Sequence, residues 1–336
     1  MSEFVVKRLW LERDVVSRQA WEQLLQKAAL STTEQVDYTI GIYHASGELA
    51  ATGSLDGNIL KCLVVCQKYQ SENLLTQLVM ALLEELRERG FANSFVYTKP
   101  KNKIFFQAMG YRLVAETVDL LFMEQGIPTF QDYEHLLQQH QVATSDNSAI
   151  VMNANPFTLG HQYLVETAAQ QSQHVFVFVV SEDRSEVSSN DRLAMVQAGV
   201  SHLANVTVLP TRDYMVSSTT FPAYFLKERA DLAVAQVQAR LDATLFKQRI
   251  APLLNIKTRY VGEEPFSPVT EVYNEAMGAV FEPELQLQII KRRQVADQVI
   301  SATRVRQAMQ QSNHALLTQL VPDTTYQYLV THHLVK

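Results

Sequence analysis

The stretch Asn153-Ala154-Asn155-Pro156-Phe157-Thr158-Leu159-Gly160-His161 decides how the second half of this chain is read. Just before it, Ala149-Ile150-Val151-Met152 is an apolar run suited to a buried strand. Just after it, Leu164, Val165, Ala168 and Ala169 recur at helix spacing. A strand, a short loop and a helix opening on Thr-x-Gly-His put backbone N–H groups and an imidazole where an anion can sit. Gly160 allows close approach of a phosphate, His161 can offer an N–H to a phosphate oxygen, and Thr158 supplies a hydroxyl one turn earlier. Taken alone, the same four residues also read as an ordinary helix cap.

A second segment, Ile300-Ser301-Ala302-Thr303-Arg304-Val305-Arg306, opens a helix that continues through Ala308 and Met309. The hydroxyls of Ser301 and Thr303 and the N–H groups at that terminus can hold β- and γ-phosphates. The guanidiniums of Arg304 and Arg306 can neutralise a departing pyrophosphate. By itself this is a solvated basic helix start. Both segments in one α/β domain, in this order, predict a nucleoside triphosphate site that works at the α-phosphate.

The surrounding pattern supplies the domain. Strands expected at 149–153, 175–181, 206–209 and 258–261 alternate with helices near 160–172, 190–203, 239–250, 283–296 and 302–311. Such alternation predicts a Rossmann-like α/β domain with a parallel sheet over residues 148–336. Ligands of these sheets bind beyond the carboxyl ends of the strands. Asn155, Ser181, Asp183, Arg184, Asp213, Gly262, Glu263 and Glu264 follow strands and are expected to converge on one crevice, with the two glutamates suited to Mg²⁺ or ribose hydroxyls. Arg192 and Lys227 are candidate phosphate contacts, and Ser217 to Thr220 a candidate substrate loop.

Residues 1–126 read as a separate α+β domain, followed by a linker with a short helix over 127–147. A helix is expected over 17–30 and strands over 38–43, 49–55, 59–65, 94–98 and 118–123. Leu74, Leu75, Leu78, Val79, Leu82, Leu83 and Leu86 mark a long amphipathic helix that Gly90 closes.

Composition narrows the classes of function. With 29 basic and 35 acidic side chains the net charge is -6, which argues against a large nucleic-acid surface. The local basic cluster of Lys291, Arg292, Arg293, Arg304 and Arg306 suits a small polyphosphate better than a polymer. The longest apolar run, Val175 to Val180, falls far short of a membrane span, and the N-terminus has no secretory h-region. A cytoplasmic enzyme with neither nucleic-acid nor membrane partners is expected. Cys62 and Cys66 are expected to be ordinary buried thiols, because zinc would need two further ligands. His174, His202, His332 and His333 are expected to be structural or exposed.

The order of elements in residues 1–126 resembles the GCN5-related N-acetyltransferase (GNAT) fold, and Asn102…Phe105-Phe106…Met109-Gly110-Tyr111 is similar to that family's late helix and strand. The family's acetyl-CoA loop, Arg/Gln-x-x-Gly-x-Gly/Ala, corresponds to Gln67-Lys68-Tyr69-Gln70-Ser71-Glu72-Asn73. Neither glycine is present, so a scaffold or a modified CoA-binding module is expected rather than a free-standing acetyltransferase.

In the second half, the two motifs resemble the nucleotidyltransferase superfamily with (His/Thr)-x-Gly-His and Ile-Ser-x-Thr/Ser-x-x-Arg signatures. Its members join a nucleophile to the nucleotide α-phosphate and release pyrophosphate, usually with Mg²⁺. A closer resemblance covers roughly residues 5–333. The 153–161 stretch, Ser217-Ser218-Thr219-Thr220-Phe221-Pro222-Ala223-Tyr224-Phe225-Leu226-Lys227, Tyr260-Val261-Gly262-Glu263-Glu264-Pro265, Pro268-Val269-Thr270 and Tyr273-Asn274-Glu275 are similar to the [citrate (pro-3S)-lyase] ligase family.

That resemblance implies an AMP-forming acid–thiol ligase. Acetate would attack the α-phosphate of ATP to give acetyl-AMP. The thiol of the dephospho-CoA-derived prosthetic group, on the acyl-carrier (gamma) subunit of citrate lyase, would then take the acetyl group. His161, Thr158 and Arg306 would be catalytic. Asn153, Asn155, Phe157, Gly160, Gly262, Glu263, Glu264, Ser301, Thr303 and Arg304 would bind the nucleotide, with Mg²⁺. Two readings stay open beside it: an adenylyltransferase that makes a dinucleotide from a phosphate acceptor, and a CoA-arm-binding module with a vestigial nucleotide domain.

Overall fold

The computed structural model describes residues 3–181, 185–215, 231–263, 268–291, 294–295 and 298–335. The chain divides into two compact units, Met1–Asp132 with Pro222–Val237, and Tyr133–Phe221 with Gln238–Lys336. Among the described residues no helix is long and apolar enough to cross a membrane.

The first unit has the mixed α+β order of elements expected of residues 1–126. It runs β1 (Phe4–Arg8), α1 (Val15–Lys27), β2 (Tyr38–His44), β3 (Leu49–Asp56), β4 (Ile59–Val65), α2 (Leu74–Glu88), β5 (Asn93–Thr98), α3 (Lys103–Ala108), β6 (Arg112–Glu116) and β7 (Leu121–Gly126). The sheet order is β1-β2-β3-β4-β5-β7-β6, antiparallel except where β4 meets β5. The leucine stripe forms α2 as its spacing predicts. Leu74, Leu78, Val79, Leu82, Leu83 and Leu86 are buried in the core beneath the sheet. Gly90 ends the helix at φ +84°, with Gly90 N–H donating to Arg87 O and Phe91 N–H to Leu86 O, the paired bonds of a Schellman cap.

Two departures occur here. β1 was not expected, because its side chains are mostly exposed and show no clean alternation; β2 fixes it by backbone pairing. The strand expected at 118–123 lies at Leu121–Gly126, and β6 precedes it.

The second unit carries β8 (Asn147–Met152), α5 (Leu159–Gln171), β9 (His174–Val179), α6 (Ser189–Gly199), β10 (Val206–Pro210), β11 (Ile256–Gly262), α8 (Pro268–Phe281) and β12 (Gln286–Ile290). Two of the three boundaries between the units fall within helices, α4 (Phe130–Gln138) and α7 (Asp231–Leu245). A short hairpin of β13 (Gln294–Val295) and β14 (Gln298–Val299) precedes α9 (Ala302–Gln310), α10 (His314–Leu320) and α11 (Asp323–Thr331). The sheet is wholly parallel, in the order β10-β9-β8-β11-β12. Val175 to Val179 of β9 are buried, as a strand covered on both faces requires.

The expected helix over 283–296 is wrong. Gln286-Leu287-Gln288-Ile289-Ile290 is instead an edge strand that pairs parallel with β11, and the helix before it is Pro268–Phe281. The glutamines read as one polar helix face, whereas the alternation of Leu287 with its neighbours is the period of a strand.

Candidate active site

Strand order sets the place of the site. From β8 the chain proceeds outward to β9 and β10, then returns to the other side of β8 with β11 and β12. The crevice at such a reversal lies beyond the carboxyl ends of the two central strands. A cavity of about 450 Å³ is found there. Its walls come from the end of β8 (Val151 to Asn153), the start of α5 (Thr158, Gly160, His161), the ends of β11 and β12 (Gly262, Ile290, Lys291) and the start of α9 (Ser301 to Thr303).

At the start of α5 the motif is built as a capping box. Thr158 is the N-cap: its Oγ1 accepts from His161 N–H (3.2 Å), and its own backbone N–H donates to His161 Nδ1 (3.1 Å). A histidine here does what glutamate does in the usual Ser/Thr-x-x-Glu box. The exchange has a chemical consequence. An Nδ1 that accepts a hydrogen bond carries no proton, so the neutral imidazole holds its proton on Nε2. Phe157 stacks on the ring at 5.8 Å between centroids and 15° between planes. The cap therefore does not use Nε2 of His161.

Gly160 brings the two distant motifs together. A Cβ on it would lie 3.5 Å from Thr158 Oγ1 and 3.7 Å from Ile300 O, so the turn before α9 stands within van der Waals reach. Ser301 caps α9 by accepting from Arg304 N–H at 3.3 Å. Arg306 ties the segments directly, donating to Asn155 O (2.8 Å) and to Thr303 Oγ1 (3.1 Å).

Several expected site residues stand elsewhere. Phe157 is fully buried, its ring packed onto Gly199, and so supports His161 from beneath rather than facing a ligand. Asn155 is turned from the crevice: its Oδ1 accepts from Val187 N–H and its carbonyl from Arg306. Arg304 and Arg306 are not among the wall residues. Glu263 is pinned by its backbone N–H to Ile290 O, just past the wall at Gly262. Ser181 and Asp213 follow β9 and β10, on the half of the sheet away from β11, and do not join the crevice. Arg192 is not a phosphate contact, because it is completely buried and donates to backbone carbonyls. Glu264, Asp183, Arg184, Ser217 to Thr220, Lys227, Arg292 and Arg293 lie outside the described residues.

Tyr163, which the sequence did not mark, and Lys291, marked only as one of the basic cluster, belong to the wall. Tyr163 follows His161 by two positions along α5; Lys291 depends on β12, the strand taken for a helix.

No carboxylate is found among the described residues of the wall, and no group of three or more potential metal ligands occurs among the described residues. The described wall therefore does not itself supply the carboxylate ligands of a Mg²⁺ site.

In the first unit, β4 and β5 pair only through Ile59 with Phe95 and Leu60 with Val96, and then part. A cleft of about 640 Å³ opens there, lined in part by Val64, Gln70, Asn73, Thr76, Thr98 and Lys101. In the loop that lacks glycines, Asn73 adopts φ +54°, and buried Tyr69 donates its hydroxyl to Glu48 at 2.8 Å. Cys62 is buried and Cys66 partly exposed.

Residues 147–329 match the family described as the citrate lyase ligase C-terminal domain. Over 332 residues the chain is 35% identical to the [citrate [pro-3S]-lyase] ligase of Klebsiella pneumoniae, which covers 97% of this chain and 96% of that protein. The chain belongs to the citrate lyase ligase family. The [citrate [pro-3S]-lyase] ligase of Haemophilus influenzae is 33% identical over 92% of this chain and 93% of its own. Among solved structures, Escherichia coli ElaA is 16% identical at a TM-score of 0.33, covering 36% of this chain and 99% of its own. Thermotoga maritima TmcAL bound with alpha-thio ATP is 13% identical at a TM-score of 0.37, covering 56% of each chain.

Within this member of the citrate lyase ligase family, not every stretch that carried the resemblance faces the crevice. Burial, and then the charge of Asp242, push the Tyr273 hydroxyl well above its ordinary range. Asp242 in turn accepts from Arg259 at 3.0 Å in the core. Tyr273 thus belongs to a buried polar network.

Proposed function

We propose that this chain is an ATP-dependent, AMP-forming acid–thiol ligase that activates citrate lyase by acetylating the prosthetic-group thiol on its acyl-carrier subunit. One observation carries the proposal: the Thr158–His161 turn and the Ser301–Thr303 turn, far apart in sequence, wall the same crevice at the strand reversal. Two helix N-termini, an imidazole and Lys291 there provide donors and positive charge for a triphosphate.

In this reading acetate attacks the α-phosphorus of ATP. The carboxylate oxygen forms a bond to phosphorus, the bond to the bridging oxygen breaks, and pyrophosphate leaves. His161 donates from Nε2 to a non-bridging oxygen as charge builds there. Thr158 acts as a positioning residue, holding the imidazole in that tautomer. Arg306 likewise acts by joining the two turns. Mg²⁺ would have to enter with the nucleotide, since the described wall supplies no carboxylate to hold it, and would supply positive charge.

The prosthetic-group thiol then attacks the acetyl carbonyl and AMP departs. Adenylation matters because a carboxylate oxygen is a poor leaving group and AMP a good one. The cleft of the first unit, flanked by the altered loop, is proposed to recognise the CoA-type arm or its carrier.

The test is pyrophosphate release from ATP, assayed with acetate or with a phosphomonoester as acceptor. A requirement for acetate is the expected result. A requirement for the phosphomonoester would make the chain a dinucleotide-forming adenylyltransferase, and full function after His161→Ala would leave only an arm-binding module.

A further inference from the structure

We infer that Arg192 is a positioning residue that turns the Asn153 amide so that its NH2 group faces the crevice and donates to an anionic oxygen of the substrate. The inference rests on the nucleotide reading of that crevice. Arg192 lies on α6 with no exposed surface. Its Nε donates to Val187 O at 3.1 Å, and its Nη1 to Val180 O at 2.6 Å, to Asn153 O at 2.9 Å and to Asn153 Oδ1. One side chain thereby joins the end of β8, the residue after β9 and the approach to α6.

The direction of the amide follows from chemistry. A guanidinium has donors and no acceptor, so the Asn153 atom that meets it is the oxygen, and the NH2 group points the other way. Asn153 is exposed and lies in the crevice wall, next after the last residue of β8. Among the described residues no acceptor is bonded to its Nδ2. Burying a guanidinium is costly unless its N–H groups are met. Here Nε and Nη1 of the cation are committed to carbonyl oxygens at the rim of the crevice, and a neutral residue hands its polarity on to the ligand. Two N–H donors on an amide suit a charged oxygen, whether from a nucleotide phosphate or from the carboxylate of the acid.

The full-length protein tests this with Asn153→Ala, Asn153→Asp, Arg192→Lys and the Arg192→Lys/Asn153→Ala double variant. The readouts are the Kd for ATP by calorimetry and the KM for acetate in ATP–pyrophosphate exchange. Losing a hydrogen bond to a charged group predicts that Asn153→Ala weakens one of the two ligands by about 10-fold or more. The ligand that weakens is the one the amide touches. Asn153→Asp keeps an oxygen for Arg192, so it is expected to melt close to wild type yet bind worse than the alanine variant. Arg192→Lys should weaken the same ligand in the native background, and by less than about 2-fold once Asn153 is alanine, because its effect passes through that amide.

Asn153→Ala that handles both ligands like wild type would overturn the inference. So would an Arg192→Lys effect of equal size in both backgrounds. If Arg192→Lys fails to fold, Arg192→Gln, which keeps an N–H donor for Asn153 Oδ1, takes its place in both backgrounds and is read the same way. Wild-type protein that binds no ATP would overturn the nucleotide reading itself, and this inference with it.

Discussion

His161 is assigned two jobs, and they can be separated by substitution. As the third residue of α5 it accepts from Thr158 N–H and completes the cap. Through Nε2 it would donate to the α-phosphate. Glutamate at this position restores the common capping box and places a carboxylate at a helix N-terminus, so His161→Glu should melt near wild type. Alanine keeps the bond from its backbone N–H to Thr158 Oγ1 but loses the reciprocal one from Thr158 N–H, at about 0.5–1.5 kcal/mol. For a unit of this size that corresponds to roughly 2–4 °C per kcal/mol in its melting transition.

Both variants lose the Nε2–H donor, which predicts a barrier higher by about 2–4 kcal/mol. The glutamate variant also sets a negative charge against the phosphates and should be at least as slow as alanine. Calorimetric melting and acetate-dependent pyrophosphate release, measured on the same preparations, check both orders. A glutamate variant that releases pyrophosphate at close to the wild-type rate would refute the reasoning. A glutamate variant that melts as low as alanine would refute the capping half of it.

Gly160→Ala should fold well, because the added Cβ meets its neighbours at 3.5 Å or more and alanine is favoured over glycine in a helix by roughly 0.5–1 kcal/mol. The methyl narrows the gap toward Ile300, so exchange should slow by about 1–3 kcal/mol of barrier while the melting temperature holds or rises; full activity would contradict a phosphate path at this point. Burial pushes the Cys62 thiol up to about 12, with the charge of Glu34 adding to it. At pH 8 only about one thiol in 10⁴ is then ionised, so a disulfide-exchange reagent should titrate Cys66 alone until the protein unfolds; two fast thiols would contradict this. Thr76→Trp, which fills the cleft of the first unit, should leave acetyl-AMP formation intact and slow thiol transfer; unchanged transfer would remove that cleft from the reaction.

Much of this was legible from residue spacing. The α2 stripe and its Gly90 cap were plain because a helix that buries one face needs both. The Thr158–His161 turn was legible as a cap, and the hydrogen bond to Nδ1 shows how the histidine completes that cap while its Nε2 is left for the proposed anion site. Strand order was not legible: nothing local tells Ser181 that β9 leads away from β11. Lys291 was legible as one of a basic cluster, but not its place in the wall, which it reaches because Gln286–Ile290 pairs with β11. Arg192 misled for a different reason. An arginine near a crevice suggests a phosphate contact, and its complete burial comes from packing that no local pattern records.

The most direct measurement of the central claim is exchange of labelled pyrophosphate into ATP, run with and without acetate. If the two turns hold one triphosphate with its α-phosphorus open to a carboxylate, label enters ATP when acetate is present and stays out when it is omitted. Label that enters equally without acetate, or never enters with it, would contradict the account.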